Sequence, residues 1–153
     1  HQGADFNTIG GTTVADRNTI SGNSYAGVAI IDFITNDNRI MGNWIGLDEN
    51  GDVVTAGDHG VVIWDGPDNN QIGGVNAGEG NVIAGYTQSG ITGSADGHTI
   101  QGNAIGTDTT GELDLTNGMW GILLSGGADN WSIGGTADGA GKFVKEVEVF
   151  ARC

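Results

Sequence analysis

Cysteine is almost absent, and the single one, Cys153, is the last residue, which excludes an internal disulfide framework and any CxxC metal pair. Basic residues are nearly as scarce. Five Lys and Arg stand against 19 Asp and Glu, and the formal net charge of -14 repels nucleic-acid phosphates and anionic membrane surfaces. No run of about 18 apolar residues exists, so no membrane insertion is expected. His1-Gln2-Gly3 does not open a signal peptide, so the leader of a secreted parent would lie outside this sequence. Helical periodicity is missing too: no segment keeps an apolar stripe at helical spacing, and glycine would cost about 1 kcal/mol at each helical position.

Glycine itself is plentiful, at 30 of 153 residues. It has no collagen period and falls among regularly placed Ile and Val, which marks turns rather than disorder. Hydrophobic content of 37% suffices for one domain spanning 1-153 if its core is elongated. The acidity of an Asp-, Asn- and Gly-rich chain suits divalent cations or a high-salt setting, although solubility accounts for it more simply.

The motif Asn-x-Ile recurs at Asn7, Asn18, Asn43, Asn70, Asn81 and Asn103, most often followed by Gly. A self-similar period of this kind is the signature of a solenoid. Three short strand types account for the spacing. Strand a follows a glycine, and alternation places Val28/Ile30, Val61/Ile63, Ile91 and Ile122/Leu124 on one face. Strand b centres on Ile9, Ile40, Ile72, Ile100 and Ile133, and strand c on Ile20, Ile45, Ile83 and Ile105.

From b to c the spacings are 11, 5, 11 and 5 residues, and from c to the next a they are 8, 16, 8 and 17. Long excursions therefore fall alternately after b and after c. Successive coils take 33, 30 and 31 residues, so a pair makes a super-repeat of 61 to 63. This predicts an all-β fold: a single-stranded parallel β-helix of about 4.5 coils, three short strands per coil, ~20 Å long. Asn18, Asn43, Asn81 and Asn103 share one place before strand c, where their amides can form a hydrogen-bonded ladder. The corresponding column before strand b reads Asn7, Asn38, Asn70, His98 and Trp131.

Repeats cover about 7-141, and the tail at about 142-153 keeps the count at first. Val144 lies 11 residues after Ile133, with Lys142 in the asparagine place. The alternating Glu146-Val147-Glu148-Val149-Phe150, with Lys145 and Arg152 nearby, is expected to form a capping strand over the open end. The first residues begin within a coil, which suggests a fragment, a neighbouring domain, or a homo-oligomer stacked through solenoid ends.

Asn7 to Gly11, Gly42-Asn43-Trp44-Ile45-Gly46-Leu47-Asp48 and Gly102-Asn103-Ala104-Ile105-Gly106-Thr107-Asp108 with Gly111 resemble the NxIGG and GNxIGTDxxG repeats of right-handed parallel β-helices. Such repeats occur in large bacterial surface and secreted proteins of the pectin-lyase-like superfold. The resemblance implies a secreted or cell-surface setting and a superfold shared by polysaccharide lyases, epimerases, glycoside hydrolases and adhesive or carbohydrate-binding modules. Activity does not follow from the fold alone.

A lyase or epimerase needs a base beside groups that neutralise a uronate. Arg39 is the one strand-borne cation of the coils, with Arg17 in a loop, and Arg39 is expected to pair with a nearby Asp instead. Hydrolysis needs clustered carboxylates and a His, for which Asp37, Asp58, His59 and Asp65 are the candidates, though His59 more simply ends a turn. Asp48, Asn50 and Asp52 alternate around Gly51 as calcium ligands do, and calcium is the one cofactor for which the sequence offers a site. Asx turns explain the same composition.

Aromatic placement carries the main expectation. Alternation points Ile31, Trp64, Val62 and Leu123 outward from strand a and Trp44 outward from strand c, while Trp120 takes the place of His59 in its coil. Such a face suits a polysaccharide or another protein chain, unless loops or the tail cover it. The expected function is thus a non-enzymatic module for adhesion, assembly or glycan contact, with a polysaccharide-active enzyme and an end-to-end filament subunit as alternatives.

Overall fold

Three successive coils close with the same three strands because the same side chains return at the same places. The computed structural model describes residues 3–54, 57–141, 143, 144 and, as backbone, 147–149. The b sheet stacks β1 (Thr8–Gly10), β4 (Arg39–Met41), β7 (Gln71–Gly73), β10 (Thr99–Gln101) and β13 (Ser132–Ile133). The c sheet stacks β2 (Thr19–Ile20), β5 (Trp44–Ile45), β8 (Val82–Ile83) and β11 (Ala104–Ile105). The a sheet stacks β3 (Ala26–Ile31), β6 (His59–Trp64), β9 (Ser89–Gly93), β12 (Trp120–Leu124) and β14 (Val147–Val149). All neighbours pair in parallel, which makes the all-β solenoid expected from the spacing. Among the described residues no helix is long and apolar enough to cross a membrane.

Register follows the isoleucines. Ile9, Ile40, Ile72, Ile100 and Ile133 align in one column and Ile20, Ile45, Ile83 and Ile105 in another. The bore is sealed from solvent: Ile40, Ile45, Ile63, Ile72, Ile83, Ile91, Ile105 and Ile122 are each 0% exposed. Burial of apolar surface at about 25 cal/mol per Å² drives the stacking.

The asparagine columns are hydrogen-bonded ladders. Asn18 donates through Nδ2 to Oδ1 of Asn43 at 2.9 Å, Asn43 to Asn81 at 3.1 Å, and Asn81 to Asn103 at 2.9 Å. Asn7 donates likewise to Asn38 at 2.9 Å and Asn38 to Asn70 at 3.0 Å. His98 then takes the next place, its Nδ1 accepting the Asn70 N–H at 3.0 Å, and Trp131 packs edge-on against its ring at 4.6 Å. A third column runs along the a-to-b turns: Asn36 N–H donates to Asp5 Oδ1 at 2.7 Å, Asp68 N–H to Asn36 Oδ1 at 2.7 Å, and Asp129 N–H to Asp96 Oδ1 at 3.0 Å.

Long excursions alternate as counted and are seated on the coils beside them. The excursion at 74–80 lies over the short turn of the preceding coil, where Gly42 N–H donates to the Glu79 carbonyl at 3.0 Å; Gly102 N–H meets the Ala140 carbonyl in the same way at 3.0 Å. The c-to-a excursions fold back as narrow loops closed by the antiparallel bridges Leu47 to Val53 and Thr107 to Asp114. At the far end Val144 bridges Ile105 in parallel, and β14 pairs in parallel with β12, so the expected capping strand extends the a sheet by one rung. Lys142, Lys145, Glu146, Phe150, Arg152 and Cys153 lie outside the described residues.

Candidate functional site

Strand a does not alternate along its whole length. A Cβ built on Gly60 would stand 2.4 Å from Ile83 Cγ2, so this glycine turns into the bore where the a and c sheets meet. Val61, its neighbour, is also a core residue. Two successive inward positions reverse the phase, and His59 therefore joins Val62 and Trp64 on the outer face.

On that face Tyr25, His59 and Trp64 form a cluster. Ring centroids are 5.8 Å apart for Tyr25 and His59, 6.1 Å for Tyr25 and Trp64, and 6.0 Å for His59 and Trp64. The tilted and T-shaped contacts are those aromatic quadrupoles favour. Val62 lies between His59 and Trp64 on the strand and is 0% exposed, so it floors the cluster and presents nothing to a ligand, contrary to the expectation from alternation. His59 is itself buried, with Nδ1 2.6 Å from Ser89 Oγ on the next rung. Burial lowers its pKa, and the Asp58 carboxylate works the other way; burial, with Asp58 second, raises that of Tyr25.

Open apolar surface remains beside the rings. Tyr25 and Ile31 are exposed, and Phe33 is 73% exposed and lies against Gly66 of the next coil. Trp64, Trp120 and Leu123 are half-buried. Trp120 pairs with Ser89 in the column that holds His59, as its place in the repeat predicted. Tyr25 and Phe33 carry much of this surface and were not anticipated. Both flank the first a strand, β3, rather than lie in it, Tyr25 directly before it and Phe33 two residues after it, so a reading confined to strand positions passes over them.

Trp44 does face outward from strand c, but Arg17 covers it. The Arg17 guanidinium carbon sits 4.4 Å from the ring centroid, a cation–π contact, and Gly51 approaches the ring edge.

The catalytic candidates are dispersed. Asp37 and Asp65 hold positive φ of 56° and 63° in successive a-to-b turns, which is the structural work of Asp in left-handed positions. Asp58 lies at the opposite end of strand a and accepts the Thr87 hydroxyl at 3.0 Å. Arg39 shares a polar recess of about 370 Å³ with Asp37 and Gln71. Its expected ion pair with an Asp is not formed among the described residues; its charge reaches Glu79 only as the smallest influence, after the Asn76 donors that hold that carboxyl below its usual range. Among the described residues no three His, Cys, Asp or Glu side chains converge as a metal site.

In the Asp48 to Asp52 loop, Asp48 Oδ1 accepts the N–H groups of Asp52 at 3.0 Å and Asn50 at 2.8 Å, and these donors, Asp52 foremost, hold its pKa down. Asp108 does the same work for its loop, with Thr110 and Leu113 as donors. Both carboxylates are Asx-turn acceptors. No protein-family model matches the chain, and neither a curated protein nor a solved structure matches it.

Proposed function

We propose that this chain is a non-enzymatic β-solenoid module of an extracellular or cell-surface protein, and that the outer face of the a sheet contacts a glycan. The supporting observation is the Tyr25, His59 and Trp64 cluster, flanked by exposed Ile31 and Phe33 on a rigid stacked sheet. Rings fixed by neighbouring rings lose little freedom when a sugar face stacks on them. The likeness of the repeats to those of pectin-lyase-like surface proteins supports the extracellular setting. An enzymatic role draws no comparable support, since Asp37 and Asp65 serve turns and Asp58 stands apart from them.

A glycan array probed with the parent chain and with Trp64→Ala and Tyr25→Ala tests the proposal. Binding by the parent, weakened about tenfold or more in both variants, is the expected result. Absence of any bound glycan, or variants that bind as the parent does, would overturn it.

A further inference from the structure

A second site lies on another face of the molecule. The outer face of the c sheet is the floor of an open trough of about 460 Å³, walled by the excursions at 12–17 and 74–80. Its floor is Trp44, Val82 and Ala104, of which Val82 and Ala104 are buried, so the open apolar surface is on the walls, at Val14, Val75 and Ala77. Val14 is 75% exposed, an unusual place for an apolar side chain beside an apolar floor.

Arg17 stands at one end of this trough. Stacking on Trp44 fixes its guanidinium; Nε is buried and out of a ligand's reach, which leaves the two terminal NH2 groups as the donors a ligand can meet. No carboxylate pairs with it among the described residues, in a chain that carries 19 Asp and Glu. The nearest acid in sequence is taken: Asp16 Oδ2 accepts the Thr13 hydroxyl at 2.7 Å. A guanidinium held rigid and left without an anion is a prepared donor fork for a carboxylate.

Most polar side chains beside the apolar wall residues are engaged within the protein: Thr13 is held by Asp16, and among the described residues only Thr12 on these walls keeps a free hydroxyl. Asn76 binds Glu79 through both Nδ2 and its backbone N–H at 2.9 and 3.0 Å, and Asn81 belongs to the c ladder. A polyhydroxylated ligand would find few partners here, whereas an apolar body would cover Val14, Val75 and Ala77. The trough is also open along its length, with Asp138 and Thr109 toward its other end, so a chain can run on beyond the site. We propose that this trough binds the C-terminal carboxylate of a peptide with apolar last residues, Arg17 taking the carboxylate and Val14, Val75 and Ala77 the side chains.

The test is a titration of the isotope-labelled protein with N-acetyl-Val-Leu as the free acid, its C-terminal amide, glucuronate and acetate, read at the Arg17 Nε–H and Trp44 indole N–H resonances. The free acid is expected to shift both resonances saturably below about 10 mM, and Arg17→Gln to weaken it about tenfold or more. Arg17→Lys, which keeps the charge but not the fork, is expected to weaken it as well, and unchanged melting temperatures show that both variants fold. Equal binding of the amide, glucuronate binding as tightly as the peptide acid, or no saturable shift with the free acid would each overturn the proposal.

Discussion

Tyr86 is the core side chain whose surroundings suit it least. It is 2% exposed at the corner of the bore, its hydroxyl has no hydrogen-bond partner, and burial pushes its pKa up to about 12. An unpaired buried hydroxyl costs its lost hydration without return, so Tyr86→Phe is expected to raise stability by about 1 kcal/mol. Urea unfolding measures this, and a loss of stability would show that the hydroxyl has a partner in solution. His59 and Val62 teach a different lesson about single positions. The isoleucines of the bore were readable in the sequence because a branched apolar side chain repeats there at fixed spacing. The outer face was readable only in part, because the inward turn at Gly60 leaves no side chain to mark it and shifts the phase of everything before it. Val62 was thus expected at a surface that the rings of its own coil and the coil before it occupy.

The ladders and sheets make stability unequal along the columns. Asn81 accepts from Asn43 through both N–H and Nδ2, and donates to Ile40 and Asn103, all buried. Asn81→Ala is therefore expected to cost about 3 kcal/mol, against less than about 1 kcal/mol for Asn18→Ala at the exposed end of the same ladder, as measured by denaturant midpoints. In the b column the histidine that replaces asparagine brings a dependence on pH. Burial holds the His98 pKa below its ordinary 6.5, and the Asn70 N–H occupies the Nδ1 lone pair that a proton would take, while the nearby Asp68 and Asp96 carboxylates oppose this. The folded state therefore favours neutral His98. Its contribution is complete above the unfolded pKa and is lost as pH falls below 6.5 toward the folded value, at most about 1.4 kcal/mol per pH unit. His98→Asn, which restores the ladder amide, should flatten the fall in melting temperature between about pH 6.5 and 5; a slope equal to the parent's would place the titration elsewhere. The asparagine ladders could be seen in the sequence because one residue type repeats. The Asp5, Asn36, Asp68, Asp96 and Asp129 column could not, since mixed Asp and Asn at a turn look the same whether or not they stack.

The whole molecule carries -14 charges on a narrow rod, and the stacked turn column sets several of them on one edge. Self-repulsion opposes folding and is screened by salt. Melting temperature at pH 7 is expected to rise by a few degrees from about 0.02 to 0.5 M sodium chloride, where the screening length falls from roughly 20 to 4 Å. A flat or falling response would mean that repulsion persists equally in the unfolded chain. The alternation of long excursions has a consequence of another sort. The excursions after β7 and β13 each rest a carbonyl on the short turn of the preceding coil, at Gly42 and at Gly102. Insertion or deletion of a single coil would set one long excursion directly upon another, with no short turn between to receive it. The least change of length that keeps every such seat is a pair of coils, so this architecture grows or shrinks in steps of 61 to 63 residues.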